Sequence, residues 1–514
     1  MSLVRSTATV GAYTLVSRVL GFLREILVAA FLGAGPISDA FFVALRLPNL
    51  FRALFAEGAF AQAFVPIFAG TYAREGRLAA LVFARDTFAI LLAALVAFLG
   101  LGEIFTPAIL HLVAPGFQRD PAEFRLVVTL TRLTFPYLLF ISLVSFLGGM
   151  LNAIEAFAAN AAAASLLNIF LIAALLLVRP LTDHALAIAV SLSGVAQFAW
   201  LFFACWRHDL LLPPVWPHIT TDVKTLLRTM LPGVVGASAM QINLVVSTAI
   251  ASFAPLGSVS YLAYADRLNQ LPLGVVGIAV ATVILPRLSR EIRTGAEARA
   301  LHTQNRGLEL ALLLTLPAAI GLAIAARPIL AVLFQRGHFG PHAVTEVARA
   351  LTAYAAGLPA FVLTKVVVTG FLARRDTLTP VKIALVVMVI NAALTVWLGL
   401  YAGFAHVGIA AATSLSGWLN ALGLMAVSHH RNHFRLDARS RRILPRIALA
   451  AIVMGAVIAG LIPRLATPLA TPGLTKYATL LALVAIGLAT YATAALLTGA
   501  ANWHELRGHM FKRA

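Results

Sequence analysis

Residues 477–499 read YATLLALVAIGLATYATAALLTG, a run of 23 residues without one charged side chain. An α-helix rises about 1.5 Å per residue, so this run can cross a hydrocarbon core of roughly 30 Å. Similar apolar stretches recur along the chain from Thr7 onward. They are too long, and too rich in Leu and Ala, for the tilted strands of an outer-membrane barrel. The sequence therefore predicts an all-α, polytopic membrane protein.

The composition of the whole chain supports this class. Of the 514 residues, 61% are hydrophobic and 11% are charged, and the mean hydropathy is +0.91. A soluble domain carries about 25% charged residues. The single cysteine, Cys205, excludes an internal disulfide framework and a multi-cysteine metal site.

The apolar stretches predict roughly 14 transmembrane helices. We place them at 7–32, 38–71, 81–110, 125–155, 158–178, 184–206, 222–252, 257–286, 306–326, 341–373, 378–402, 406–430, 443–462 and 476–499. Most Lys and Arg residues then fall on the tails and on connections of one side. By the positive-inside rule, both termini are expected in the cytoplasm. The net charge of +19 is thus explained by topology and contact with anionic membrane lipids, without nucleic acid.

A sequence pattern repeats at a shift of about 220 residues. The matching positions are Arg46 with Arg267, Pro66 with Pro286, Pro136 with Pro359, and Asn168 with Asn391. The shift covers an even number of predicted helices, so both copies cross the membrane in the same direction. We therefore predict two six-helix lobes, 1–220 and 221–436, followed by two additional helices and a cytoplasmic tail at 437–514. Transporters of this type bind substrate near the midplane, between the lobes.

Ionisable residues inside the predicted spans are the candidate functional residues. A charge at the bilayer centre costs about 2.5–3.5 kcal/mol unless it faces protein or water. At about 100° per residue, Arg18, Gly21 and Glu25 share one face of the first helix, which must therefore look inward. The charged set in the first, second and eighth spans comprises Arg18, Arg24, Glu25, Asp39, Arg46, Arg52, Glu57, Asp266 and Arg267.

Two interpretations of this charged set remain open. In the first, the arginines pair with carboxylates and lock helices together: Glu25 and Asp266 each adjoin an arginine, and Asp39 could neutralise Arg46. In the second, five arginines exceed four carboxylates, and the uncompensated charge binds an anionic substrate. Guanidinium groups suit phosphate because they stay protonated and offer bidentate hydrogen bonds. We predict anion binding by Arg18, Arg24, Arg52 and Arg267.

The chain offers no pattern typical of an enzyme or a metal site. It contains no HExxH, GxSxG or Walker sequence. Arg132, Arg349 and Lys365 lie near ends of predicted helices, where snorkelling to the interface explains them. We therefore predict a protein that is not an enzyme and that carries no cofactor.

Residues 17–25, SRVLGFLRE, resemble the opening helix of the lipid II flippase family, known as MurJ or MviN. Residues 39–44, DAFFVA, and 47–52, LPNLFR, strengthen the resemblance. Further motifs follow in the family's order: FAEGAF at 55–60, AFVP at 63–66, APGF at 114–117, YADRL at 264–268, LFQ at 333–335 and TPVKI at 379–383. The resemblance covers nearly the whole chain.

This resemblance implies a fold of the multidrug/oligosaccharidyl-lipid/polysaccharide exporter type, located in the bacterial inner membrane. The implied activity is alternating-access transport of lipid II, the undecaprenyl-pyrophosphate-linked disaccharide-pentapeptide, from the cytoplasmic to the periplasmic leaflet for peptidoglycan synthesis. The implied substrate-binding residues are again Arg18, Arg24, Arg52 and Arg267. Asp39 and Glu57 match gating positions, and we add Glu25 to the gating set. We expect a monomer.

One departure from the family concerns sodium. Some members bind sodium through carboxylates on the seventh and eleventh helices, where this chain offers Asn243, Asn391 and Thr395 and no Asp or Glu. A hard cation would lose its anionic ligands there, so sodium dependence stays open. Two other functions also stay open: a flippase for O-antigen or capsule lipids of the same superfamily, and a membrane enzyme acting on prenyl-linked phosphates. The enzyme would need a general base near the arginines.

Overall fold

The computed structural model describes residues 3–52, 59–178 and 183–500. Their regular structure is helical. The helices are α1 (Leu3–Leu32), α2 (Pro36–Phe51), α3 (Ala59–Glu75), α4 (Arg77–Val113), α5 (Pro121–Thr134), α6 (Pro136–Ala153), α7 (Phe157–Leu177), α8 (Ala185–Arg207), α9 (Thr221–Ala251), α10 (Ser258–Arg293), α11 (Glu297–Ile324), α12 (Ala326–Phe334), α13 (Pro341–Ala355), α14 (Leu358–Ala373), α15 (Leu378–Val396), α16 (Ala405–His430), α17 (Ala438–Arg464), α18 (Ala466–Ala470) and α19 (Leu474–Leu497).

Many of these helices are built to cross a membrane. Within the described residues, ten segments are long and apolar enough to do so, including the pairs α5–α6 and α13–α14, each counted as one span. The chain is therefore an all-α, multi-pass membrane protein, which confirms the predicted fold class. The larger total of roughly 14 spans stays a prediction.

Proline interrupts two spans that the sequence repeat relates to each other. Over 125–155 we predicted one continuous helix, but α5 ends at Thr134 and α6 begins at Pro136. In the second copy, α13 ends at Ala355 and Pro359 lies in the first turn of α14. Proline has no backbone N–H and its ring clashes with the preceding turn. The equivalent prolines therefore divide both spans into two shorter helices.

The chain separates into two compact units, residues 1–259 and 260–514. In the first unit, α1 packs along α7, both α6 and α7 pack on α8, and α2 packs on α5. Helix α3 contacts α4, α6 and α9. The lobe boundary that we placed at 220/221 stays a prediction.

A close backbone contact holds the end of α9 within the first unit. The Gly116 amide donates a hydrogen bond to Ser252 Oγ at 2.9 Å, and Arg119 donates one to the Phe253 carbonyl at 3.2 Å. A Cβ atom at Gly116 would lie 2.0 Å from the Ser252 carbonyl oxygen. Only glycine therefore fits here, which explains this residue of the APGF motif.

In the second unit, the two C-terminal helices pack on α11. Helix α17 lies against α11, and α19 lies against α17. The contact is close because a Cβ atom at Gly455 of α17 would come within 2.7 Å of Ile320 in α11. Met454 and Ile458 of α17 are buried in the same apolar cluster as Leu483 of α19.

Candidate functional site

Arg24 and Glu25 form a buried ion pair on α1. Their side chains are 13% and 6% exposed, and Arg24 Nη2 donates to Glu25 Oε1. Neighbouring residues on a helix do not normally face each other, so the Arg24 side chain must turn back toward Glu25. The structure thus supports the pairing interpretation for this arginine. A guanidinium has five N–H donors, and an anion can still bind those that Glu25 does not use.

Asn168 of α7 fixes the orientation of the Arg24 guanidinium. Asn168 Oδ1 accepts a hydrogen bond from Arg24 Nη1 at 3.0 Å, while Asn168 Nδ2 donates to the Ser17 carbonyl at 3.1 Å. Asn168 is itself buried, with 6% exposure. The amide therefore bridges the side chain of Arg24 and the backbone of α1 two turns earlier. Within the described chain, the hydrogen bond to Asn168 and the pair with Glu25 are the polar contacts of the Arg24 head.

Arg18 has a different environment on the same helix. Its side chain is exposed, and it makes no hydrogen bond or ion pair with any residue that the structure describes. Charge without a protein partner is costly in a membrane helix unless water or a ligand reaches it. Arg18 is thus the predicted arginine that best fits the anion-binding interpretation.

The remaining predicted binding residues lie on other helices. Arg52 follows directly after α2 and is half-buried. Arg267 lies on α10, in the second unit, and is exposed. The neighbouring Asp266 accepts a hydrogen bond from Gln270, one turn further along α10. Binding by these two arginines stays a prediction.

Of the predicted gating residues, Asp39 and Glu25 are buried. Asp39 lies in the first turn of α2, where a negative charge is stabilised by the helix dipole. Its Oδ2 atom accepts a hydrogen bond of 2.7 Å from the Gly257 amide, in the loop before α10. Glu57 lies outside the described residues. A gating role stays a prediction for all three.

The second unit has a buried polar cluster that the sequence did not indicate. Arg306 of α11 donates to Glu309 at 2.6 Å and also pairs with Asp437, at the start of α17. Ser440 of α17 donates to the other oxygen of Glu309 at 2.7 Å. Burial alone would raise the pKa of Asp437, but hydrogen bonds from Ser440 and Arg306 hold it below its ordinary value. This cluster joins the start of α17 to α11 through ion pairs and a hydrogen bond.

The equivalent of Asn168 in the repeat, Asn391, also lies in a buried position on α15. Its Oδ1 atom accepts a hydrogen bond of 2.9 Å from Ser416 of α16. Among the described residues, no group of three or more His, Cys, Asp or Glu side chains is arranged to hold a metal ion. The predicted lack of a cofactor stays a prediction, and sodium dependence stays open.

Comparison with known proteins assigns the chain to a family. Residues 28–480 match the family described as lipid II flippase MurJ. This chain belongs to the lipid II flippase MurJ family. A probable lipid II flippase MurJ of Rhizobium meliloti (strain 1021) is 43% identical over 516 residues, which cover 99% of this chain and 96% of the relative. The resemblance stated from the motifs is confirmed.

Solved structures agree on the fold. A structure titled lipid II flippase MurJ, inward closed conformation, superimposes with a TM-score of 0.80 at 24% identity, covering 95% of this chain and 98% of the other. A multidrug resistance MATE family transporter of the MOP superfamily gives a TM-score of 0.67 at 14% identity, covering 81% and 94%. The chain therefore shares its fold with both of these proteins.

Proposed function

We propose that this chain is a lipid II flippase and not an enzyme. It carries the undecaprenyl-pyrophosphate-linked disaccharide-pentapeptide from the cytoplasmic to the periplasmic leaflet of the bacterial inner membrane by alternating access. Family membership supports the substrate. The observation that carries the chemistry is the exposed guanidinium of Arg18, which shares α1 with the partly engaged guanidinium of Arg24.

In this proposal the diphosphate binds Arg18, Arg24, Arg52 and Arg267. Phosphate oxygens compete with Glu25 for the Arg24 head, while Asn168 keeps that head in place. The released Glu25, together with Asp39 and Glu57, then changes partners during the transport cycle. A ligand can drive such a change only through its different affinities for the two states. The exchange of partners at Glu25 would supply that difference.

In this proposal both termini lie in the cytoplasm, the basic connections contact anionic lipids, and the protein acts as a monomer. The membrane potential then favours outward movement of the substrate. Two negative charges crossing an inside-negative membrane gain about 4–5 kcal/mol per 100 mV if no arginine charge moves with them. In proteoliposomes with an imposed potential, the initial rate of lipid II translocation should rise as the interior becomes more negative. A translocation rate that does not depend on the sign of the potential would contradict a role of the membrane potential in transport.

The decisive test is Arg18→Ala, with Arg290→Ala as the matched control. Both arginines are exposed, but Arg290 lies in the last turn of α10 and outside the proposed site. Loss of one charge-assisted phosphate contact is expected to lower translocation at least roughly tenfold. The measurement is the accessibility of lipid II at the outer leaflet in cells depleted of their own flippase, with the amount of each variant measured in the membrane.

The control decides how a loss is interpreted. Unchanged translocation in Arg18→Ala at normal protein levels would contradict anion binding by this residue. Equal losses in both variants would indicate a general effect of surface charge. If the parent chain moves a capsule or O-antigen lipid and leaves lipid II in place, the substrate assignment is wrong.

A further inference from the structure

A cavity of about 520 Å³ opens at one end of the first unit, where α6 ends, α7 begins and α8 ends. Its walls include Thr9 of α1, Glu155 of the turn before α7, and Trp200, Phe203 and Arg207 of α8. Because Thr9 belongs to the first part of α1, the cavity lies on the same membrane side as the N-terminus. None of these residues belongs to the proposed diphosphate site.

Two opposite charges line this cavity without pairing. Glu155 and Arg207 are both exposed, and neither forms an ion pair or a side-chain hydrogen bond with the part of the chain that the structure describes. The Arg207 guanidinium lies 5.9 Å from the centre of the Phe203 ring. His208, the next residue, also faces the cavity. The cavity thus offers one cationic and one anionic position, both available to a ligand.

The aromatic residues place the cavity at the membrane surface. Trp200 is 46% exposed and Trp206, one turn and a half further along α8, is 55% exposed. The Trp200 indole donates a hydrogen bond of 3.0 Å to the Ala159 carbonyl, which fixes its ring beside the opening. Exposed tryptophans at a helix end mark the level of the lipid headgroups. A ligand entering from this level has a polar head and an apolar tail.

We propose that this cavity binds a zwitterionic phospholipid whose headgroup carries a primary ammonium next to the phosphate. Arg207, with His208, binds the phosphate, and Glu155 binds the ammonium. The acyl chains lie along the exposed faces of Trp200 and Phe203. An anionic phospholipid would place its headgroup against the Glu155 carboxylate, and a quaternary ammonium offers that carboxylate no N–H donor. Charge therefore disfavours the anionic lipid, and hydrogen bonding selects the primary ammonium over the quaternary one.

The backbone at Glu155 also fits this assignment. Its φ angle is +63°, in the left-handed region that glycine occupies at lower cost. The chain nevertheless has a carboxylate at this point of the turn. The carboxylate belongs to the turn before α7, and the cation of the same cavity belongs to α8. The turn thus presents one half of the headgroup site and α8 presents the other.

Native mass spectrometry of the full chain in detergent can test the site. The probes are phosphatidylethanolamine, phosphatidylcholine and phosphatidylglycerol, added separately at equal concentration. The parent chain should retain one phosphatidylethanolamine molecule in preference to the other two. Arg207→Gln should weaken this binding roughly tenfold, since one charge-assisted hydrogen bond is lost. Glu155→Gln should keep phospholipid binding but bind the ethanolamine and choline lipids equally.

Controls separate the site from general surface effects. Arg228→Gln removes an exposed arginine of α9, outside the cavity, and should leave lipid retention unchanged. Ala158→Trp, which fills the cavity from an exposed position, should abolish retention even if Arg207→Gln proves unstable. Equal retention in the parent and in Ala158→Trp would overturn the proposal, as would a preference of the parent for phosphatidylglycerol. Displacement of the bound lipid by undecaprenyl diphosphate would assign the cavity to the substrate instead, and would also overturn it.

Discussion

Two buried asparagines occupy equivalent positions in the sequence repeat and contact chemically different groups. Asn168 on α7 holds the guanidinium of Arg24, whereas Asn391 on α15 holds the hydroxyl of Ser416. Both positions use an amide to join two helices, because a buried polar group in a membrane must find a partner. The contact of Asn168 is with a charged side chain, and that of Asn391 with Ser416 is with a neutral hydroxyl.

A similar contrast concerns buried acidic residues. Glu25 pairs with Arg24, a residue of the proposed substrate site. Glu309 accepts hydrogen bonds from Arg306 and Ser440 within a cluster that joins α11 to α17. In our proposal, the same type of buried charge serves transport in the first unit, whereas in the second unit it joins two helices. Four experiments test these contrasts.

The largest effect is expected for Arg24→Ala. The substitution removes a phosphate ligand and breaks the buried ion pair with Glu25, and loss of one partner of a buried pair destabilises a protein by about 3–5 kcal/mol. Translocation of lipid II should be lost, and the melting temperature should fall. Arg24→Lys keeps the charge but not the forked geometry, and should retain roughly a tenth of the activity. Full activity of Arg24→Lys would show that charge alone suffices.

Glu309→Ala should be the most damaging change in the second unit. Loss of this carboxylate, only 7% exposed, leaves Arg306 partly unpaired and should cost about 3–5 kcal/mol in the free energy of unfolding. Glu297→Ala is the matched control on the same helix. It breaks an ion pair of 2.7 Å with Arg374, and the Glu297 side chain is 56% exposed. That loss should stay below about 1 kcal/mol. Thermal unfolding in detergent measures both, and equal values would contradict the attachment role.

Asn168→Ala and Asn391→Ala compare the two copies directly. The first substitution removes a charge-assisted hydrogen bond to Arg24. Because Asn168 then no longer fixes the orientation of the guanidinium, translocation should fall roughly tenfold. The second removes a neutral hydrogen bond and should reduce the stability by about 1 kcal/mol with little change in transport. Translocation assays at matched membrane levels distinguish these outcomes. If both variants transport equally well, the amide does not position Arg24.

The smallest effect concerns Asp376, in the turn between α14 and α15. Hydrogen bonds from Thr379, followed by the pair with Arg431, lower the pKa of this carboxyl to about 2 from an ordinary value of 3.8. A lowered folded-state pKa adds stability above the ordinary value, and this stability is lost as the pH falls toward the folded value. With solvent screening, the gain should be about 1 kcal/mol.

Asp376→Asn checks this effect. The variant should melt below the parent at pH 6, and the difference should shrink as the pH falls from 4 to 2. Translocation at neutral pH should be unchanged, since Asp376 lies in a surface turn and outside the proposed site. A difference in melting temperature that is constant with pH would show that the carboxylate charge contributes nothing.

The sequence predicted the helices well where local composition decides them. The run 477–499 became α19, Leu474–Leu497, because nothing but apolar side chains is needed there. We placed the ninth span at 306–326, yet α11 begins at Glu297. Arg306 lies inside α11 and pairs with Asp437, the residue directly before α17. Arg306 and Asp437 are 131 residues apart, a distance over which composition carries no information.

In the candidate site too, the sequence predicted the contact between neighbouring residues and missed the contact between distant ones. Adjacency in the sequence predicted the pairing of Arg24 with Glu25, and the structure contains that pair. Asn168 entered the sequence argument only as a marker of the repeat. Its contact with Arg24 joins positions 144 residues apart and depends on the packing of α1 along α7. Helical periodicity gives the face of each helix but not the neighbour that this face contacts.

The polar cluster at the start of α17 determines what a shortened protein would lose. Without α17 and α19, lipid tails would cover Ile320 and its apolar neighbours almost as well as protein does. Acyl chains cannot replace Asp437 or Ser440 as partners of Arg306 and Glu309. Removal of the C-terminal helices therefore costs stability mainly because a few polar atoms of α11 lose their hydrogen-bond and ion-pair partners. A separately expressed segment beginning at Asp437 would rejoin the remaining chain through those atoms, whereas one beginning after Ser440 would not.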